Sequence, residues 1–220
     1  MNKILFKDLN VEHICKPRLK NSYISVSNEL IITLKTPRVS QSFLNSLLLE
    51  KEPWIRKQLV RLQDSPPQKI NIEDELLLFG EIHSIDIKEA KFLRQKLQAL
   101  RKTEKKNILK CYDDFYKHYS SEYLRPRVEH FADIMELRFD TLKFRKMRSR
   151  WGSCSSKRTI TLNSQLLKVK KELIDYVIVH ELAHLVHMNH SKKFHALVES
   201  YLPSSKILRR ELRGVSLPSF

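Results

Sequence analysis

The chain has 220 residues, of which 41% are hydrophobic, enough to bury a core in one large domain or two small ones. Lys and Arg outnumber Asp and Glu by 41 to 25, and the net charge of +16 biases the molecule toward anionic partners such as nucleic acid, anionic lipid or acidic small molecules. Three scattered cysteines without a Cys-x-x-Cys pair argue against a disulfide framework or a cysteine zinc knuckle, and only three glycines exclude a glycine-rich phosphate loop. The first thirty residues lack the succession of a signal peptide, and no apolar run approaches the ~20 residues of a bilayer span, so a cytoplasmic protein with no membrane partner is expected.

Residues 22–35 alternate apolar and polar on either side of Ser27-Asn28, which predicts a β-hairpin, and Pro37 stops its second strand. Ser40 is placed to cap a helix over 41–63 that runs around Pro53 and is closed by Pro66-Pro67. The stretch "ELLLFGEIHSIDI", 75–87, predicts two short strands meeting at Gly80. The charged segment from about 89 to 138 predicts one or two long helices interrupted near Pro126. Strands are then expected over 141–149 and 158–164, joined as a hairpin by the turn "RSRWGSCSSKR". Apolar positions at 3/4 spacing predict a core-facing helix over 170–188, and Ser191 is a cap for a further helix that Pro203 ends; residues 204–220 are basic on balance and point to no element. The fold class expected is α+β, with a strand-rich N-terminal unit over 1–88 and a helical segment plus hydrolase core over 89–220.

Four of the nine histidines fall within "HELAHLVHMNH", 180–190. On a helix His180 and His184 leave the same face one turn apart and can converge on one ion, with Glu181 beside them. In such a His-Glu-x-x-His pattern two neutral imidazoles bind Zn²⁺ and the glutamate is the general base. A catalytic zinc usually has three protein ligands, and His190, His187 and Glu199 compete for the third place. Were the helix to continue, His190 would lie about 600° beyond His184 and point away. A chain reversal at 187–190, with Asn189 in a left-handed turn and Ser191 opening the next helix, favours His190; His187 and Glu199 stay as alternatives.

The segments "RSRWGSCSSKRTITLNSQLL" and "YVIVHELAHLVHMNHSKKFHALV" resemble the YgjP-like metallopeptidase family, bacterial relatives of the SprT and WLM zinc peptidases. The resemblance is strong across 145–202 and weaker over the N-terminal unit. It implies a zincin-like core in which His180, His184 and His190 are the zinc ligands and Glu181 the catalytic base. Two positions depart from the family pattern: His195 stands where Trp is usual, and Lys170 near where a proline commonly opens the active-site helix.

"RSRWGSC" carries two readings. In one, Arg148 or Arg150 stabilises an oxyanion and the strand edge pairs with an extended peptide. In the other, Trp151 packs on the active-site helix and Gly152 only permits a turn. Segment 141–170 holds nine Lys/Arg and no Asp or Glu, and a strand period would put Lys146, Arg148 and Arg150 on one face. The function expected is a zinc-dependent hydrolase acting on a peptide or protein. The alternatives are a metal-dependent nucleotide or phosphoanhydride hydrolase and a DNA-associated zinc protease; a module with a purely structural zinc has no use for Glu181.

Overall fold

A computed structural model describes residues 2–27, 29–64 and 70–215, and the chain divides at 68/69 into two compact units. The fold is α+β. No described helix is long and apolar enough to cross a membrane.

The first unit is a four-stranded sheet with one long helix. Strands β1 (Asn2–Phe6), β2 (Leu9–Cys15), β3 (Tyr23–Val26) and β4 (Ile32–Thr36) are ordered β1-β2-β4-β3. The β3–β4 pairing is the expected antiparallel hairpin, although Asn28 lies outside the described residues. The β1–β2 hairpin was not foreseen; Lys7, at φ 54°, makes its tight turn. Alternation sends Leu9, Val11, Ile32 and Leu34 inward, against Leu44, Leu48 and Ile55 of helix α1 (Gln41–Asp64). Ser40 Oγ accepts the Phe43 N–H, as a helix cap should. The expected stop at Pro66-Pro67 lies outside the described residues.

The second unit holds everything that follows. Strands β5 (Glu75–Leu78) and β6 (Glu81–Ser84) meet at Gly80, whose φ of 88° is a conformation that side chains rarely adopt. Leu76 and Leu78 join the core of this second unit, and the Tyr112 and Tyr116 hydroxyls donate to the Glu75 and Leu77 carbonyls, so residues 75–84 belong with the helices. Helix α2 (Lys91–Gln98) precedes helix α3 (Lys105–Ile134), which runs unbroken through Pro126. The expected interruption fails because Pro126 is exposed, where water can satisfy the carbonyl it leaves unpaired, while Leu124 and Val128 on either side stay fully buried.

The expected hairpin of 141–149 with 158–164 is also corrected. Strand β7 (Thr141–Arg145) pairs with β9 (Thr159–Asn163) in parallel, and the antiparallel partner of β9 is the short strand β8 (Gly152–Cys154), giving the order β7-β9-β8. The tight reversal falls at Ser155–Thr159, where Arg158 takes φ 50°. Beyond a 3₁₀ turn at Ser164–Lys168 come α4 (Lys171–Ala183), α5 (Lys192–Tyr201) and α6 (Ser205–Gly214). Helix α6 occupies a stretch from which the sequence reading drew only charge; Ser205 and Leu208 bury its inner face.

Candidate metal centre and its cleft

Helix α4 is apolar on nearly every side, with Leu173, Ile174, Val177, Ile178, Val179 and Leu182 all buried, so its few polar side chains are held at fixed positions. His180 and His184 project from one face, their ring centroids 5.0 Å apart. The helix stops at Ala183, with His184 as its C-cap. The Leu182 carbonyl accepts the Leu185 N–H, and the Ala183 carbonyl accepts those of Val186 and His187, which tightens the last turn. The expected reversal occurs, but without a left-handed Asn189: the non-glycine residues at positive φ among those described are Lys7, Leu30, Phe79, Glu136 and Arg158. Ser191 Oγ then accepts the Phe194 N–H and opens α5.

This reversal brings His190 back. Its Nε2 lies 3.1 Å from His180 Nε2, and its ring centroid 5.0 Å from His180 and 4.8 Å from His184. One ligand atom from each of His180, His184 and His190 falls within 4.8 Å of the others. Among the described residues this is the one such cluster of three or more potential metal ligands. Phe194 forms its floor, fully buried, with centroids 4.9, 4.6 and 4.9 Å from the rings of His180, His184 and His190. His187 contributes only its carbonyl, which lies 3.0 Å from His184 Nδ1; a proton there directs His184 Nε2 to the centre. Glu199 is turned to Lys206 at 2.8 Å.

The donor set, three imidazole nitrogens within 4.8 Å of one another, is compatible with a tetrahedral ion. Nitrogens about 2.0–2.1 Å from zinc at tetrahedral angles lie about 3.4 Å apart, close to the Nε2 separation of His180 and His190. A hydrogen bond between those two rings would leave His184 without a share. The imidazoles are also in the right protonation state: burial, then neighbouring His184 and His190, push His180 down to about 3, and burial lowers His184 and His190 as well. His180 Nδ1 is buried with no hydrogen-bond partner among the described residues.

Glu181 is 6% exposed, and burial pushes its carboxyl up to about 8 against the opposing pull of Arg150. It faces Gly152. A Cβ on Gly152 would stand 2.5 Å from Glu181 Oε1, so the glycine permits a close approach and not a turn. The loop ahead of β8 is held by Asn163, fully buried, whose Nδ2 donates to the carbonyls of Met147 and Arg150 at 2.9 Å each. Its Oδ1 accepts the N–H groups of Met147 and Gln165. Sequence reasoning missed both Gly152's role and Asn163.

His180, Glu181, Gly152, Trp151 and Arg150 line a cleft of about 380 Å³ that α6 closes with Arg209, Leu212 and Arg213. Arg148 is exposed and does not line it, and Lys146 is bound to Asp113 at 2.7 Å. The one-face expectation for Lys146, Arg148 and Arg150 fails because β7 ends at Arg145 and strand period no longer applies. Cys154 stands outside the imidazole cluster. His195 stacks 6.2 Å from His190, and Lys170, at the N-cap of α4, pairs with Glu211 at 2.9 Å.

A family model of the YgjP-like metallopeptidase domain matches residues 20–214. Among solved structures, the metallopeptidase zymogen abylysin of Pyrococcus abyssi is 28% identical, covering 40% of this chain and 89% of that one at a TM-score of 0.37. Jannalysin of Methanocaldococcus jannaschii, also a metallopeptidase zymogen, is 22% identical over 40% of this chain and 91% of that one, again at 0.37. No curated protein matches. The domain match extends over most of both units, and on that ground the chain belongs to the YgjP-like metallopeptidase family, a family of metal-dependent peptidases.

Proposed function

We propose that the chain is a zinc-dependent peptidase in which His180, His184 and His190 hold the ion and Glu181 is the general base. The observation that carries this reading is the triangle of neutral imidazoles beside a buried carboxyl group, with His180 and Glu181 both lining one cleft. Three nitrogens with no thiolate or carboxylate among them suit zinc and leave a coordination position open. A zinc ion held there supplies Lewis-acid polarisation of a substrate carbonyl and acidifies a water molecule.

Glu181 does the proton work. Its Oε atoms accept the proton of the attacking water and return it to the leaving amine nitrogen. Burial makes this carboxylate a stronger base than an exposed one, and the pull of Arg150 opposes that rise, so the group is suited both to take and to give a proton. Strand β8 is an edge of its sheet, so an extended peptide can lie against it through main-chain hydrogen bonds, with its carbonyl brought to Glu181 opposite Gly152. The test is metal content with turnover: purified protein should hold about one zinc per chain, and Glu181→Gln should keep that zinc while losing at least about a thousandfold in peptide hydrolysis. Loss of zinc together with activity would make Glu181 a ligand and overturn the assignment.

A further inference from the structure

Three arginines line the cleft. Arg150 stands on one side of it, and Arg209 and Arg213 on the other. The last two are four residues apart on α6, hence on the same face one turn apart, where like charges repel. Among the described residues none of the three guanidiniums makes a direct ion pair with a carboxylate, and the one side-chain hydrogen-bond contact among them is that of Arg209 with His195 Nε2 at 3.5 Å. Acidic residues are available nearby and go elsewhere. Glu211, between the two arginines in sequence, pairs with Lys170; Glu199 pairs with Lys206, and Asp175 with Arg127. Glu181 is the one acidic side chain in the lining; it is buried and feels the pull of Arg150 without forming a direct ion pair with it. Every cation in the lining is arginine, the side chain whose planar fork matches a carboxylate in two parallel hydrogen bonds. Trp151, Tyr176, Val177, Leu212 and Val215 fill the rest of the wall with mostly apolar surface, which raises the strength of any ion pair formed there.

We propose that this cleft selects peptides that present a carboxylate next to the bond to be cut, and that Arg150, Arg209 and Arg213 bind it. The inference rests on the peptidase reading above and adds the substrate class. The carboxylate can belong to an acidic side chain or to the C-terminus of the peptide, and both would occupy the same guanidinium cluster. Trp151 and Leu212 then pack on the neighbouring side chain, so recognition joins one anion with one apolar group.

The experiment measures binding to the zinc-loaded Glu181→Gln protein, so that no cleavage intervenes. Two sets of short peptides serve as probes: C-terminally amidated peptides with Glu or Gln at each position in turn, and neutral peptides ending in a free acid or an amide. At low salt the carboxylate form should bind about tenfold more tightly or better in one set, and that set identifies the source. Arg213→Ala and Arg209→Ala, tested singly and together, should reduce the preference to within about twofold while affecting the neutral peptide little. Equal affinity for charged and neutral forms, equal loss for both in the arginine variants, or no peptide binding at all would overturn the proposal. Wild-type cleavage separates the two readings: preferred binding without cleavage refutes the peptidase reading alone, and cleavage without preference refutes only the carboxylate site.

Discussion

Gly152→Ala gives the most direct test of how the cleft works, because one methyl group meets one oxygen of the proposed general base. The added Cβ would stand 2.5 Å from Glu181 Oε1, 2.7 Å from Cγ and 2.8 Å from Cδ, whereas ordinary contact begins at 3.4 Å. Something must therefore move by about 0.9 Å. Gly152 cannot recede easily, since β8 is paired with β9 opposite Leu162, and α4 is anchored by a fully packed core. The Glu181 carboxylate is the movable end. A shift of about 1 Å in a group that must meet a water and a carbonyl costs on the order of a hundredfold in rate. The measurement is kcat/KM on the best peptide substrate, with zinc content and thermal melting recorded on the same protein. The expected pattern is a loss of about a hundredfold with zinc and melting temperature close to wild type, because neither an imidazole nor the core is touched. A variant within about threefold of wild type would show that Glu181 is not held against Gly152 during turnover. Loss of zinc would show that the strain reaches His180 instead.

His190→Ala should lower zinc affinity by at least about tenfold by equilibrium chelator competition, while His187→Ala, which retains the carbonyl that holds His184, should stay near wild type; the reverse order would mean that the chain reversal is misplaced. Asn163→Ala strands the N–H of Met147 and the carbonyls of Met147 and Arg150, and should cost about 3 kcal/mol in urea unfolding, with less than about 1 kcal/mol refuting its role as an anchor. Lys168 is 4% exposed, and burial, then Lys146, lower its pKa from 10.5 to about 7; the unfolded chain thus holds more protons between those values, and stability should rise with pH across that window. Lys168→Met should flatten the rise, and an unchanged slope would refute the assignment.

What could be read from the sequence was local. His180 and His184 share a face because four residues make about one helical turn, and Ser40 and Ser191 cap their helices through contacts three residues long. Elements set by distant partners were harder. The pattern of 141–164 correctly suggests strands, but nothing in it distinguishes a hairpin from the observed parallel β7–β9 pair with β8 inserted beside it. Pro126 looked like a break because the solvent exposure that excuses it depends on the packing of α3 as a whole. Gly152 opposite Glu181, Asn163 under the Arg150 loop and the arginines of α6 are all contacts across long stretches of chain, and no spacing rule reaches them. One signal was available and unused: Leu208, Leu212 and Val215 recur at helical spacing in a tail that basic charge had masked.

The position of His190 depends on why α4 ends where it does. Up to Ala183 the helix is buried, with Val179, Leu182 and Ala183 fully enclosed, but Val186 is 50% exposed and Met188 57%. Another helical turn would gain backbone hydrogen bonds and almost no apolar contact, so little tertiary packing would sustain it. Ending the helix lets Ser191 start α5, which buries Phe194 completely; a fully buried phenylalanine is worth about 2–3 kcal/mol. Phe194 is also the ring on which all three imidazoles rest. The contact that stops α4 and reverses the chain is thus the same one that sets His180, His184 and His190 around a common point. Replacing Phe194 with alanine should therefore loosen the ligands as well as the fold, with zinc affinity falling beyond what the stability loss alone explains. Unchanged affinity in the folded fraction would mean that the ligands are placed by their own helix and turn, with Phe194 acting only as core.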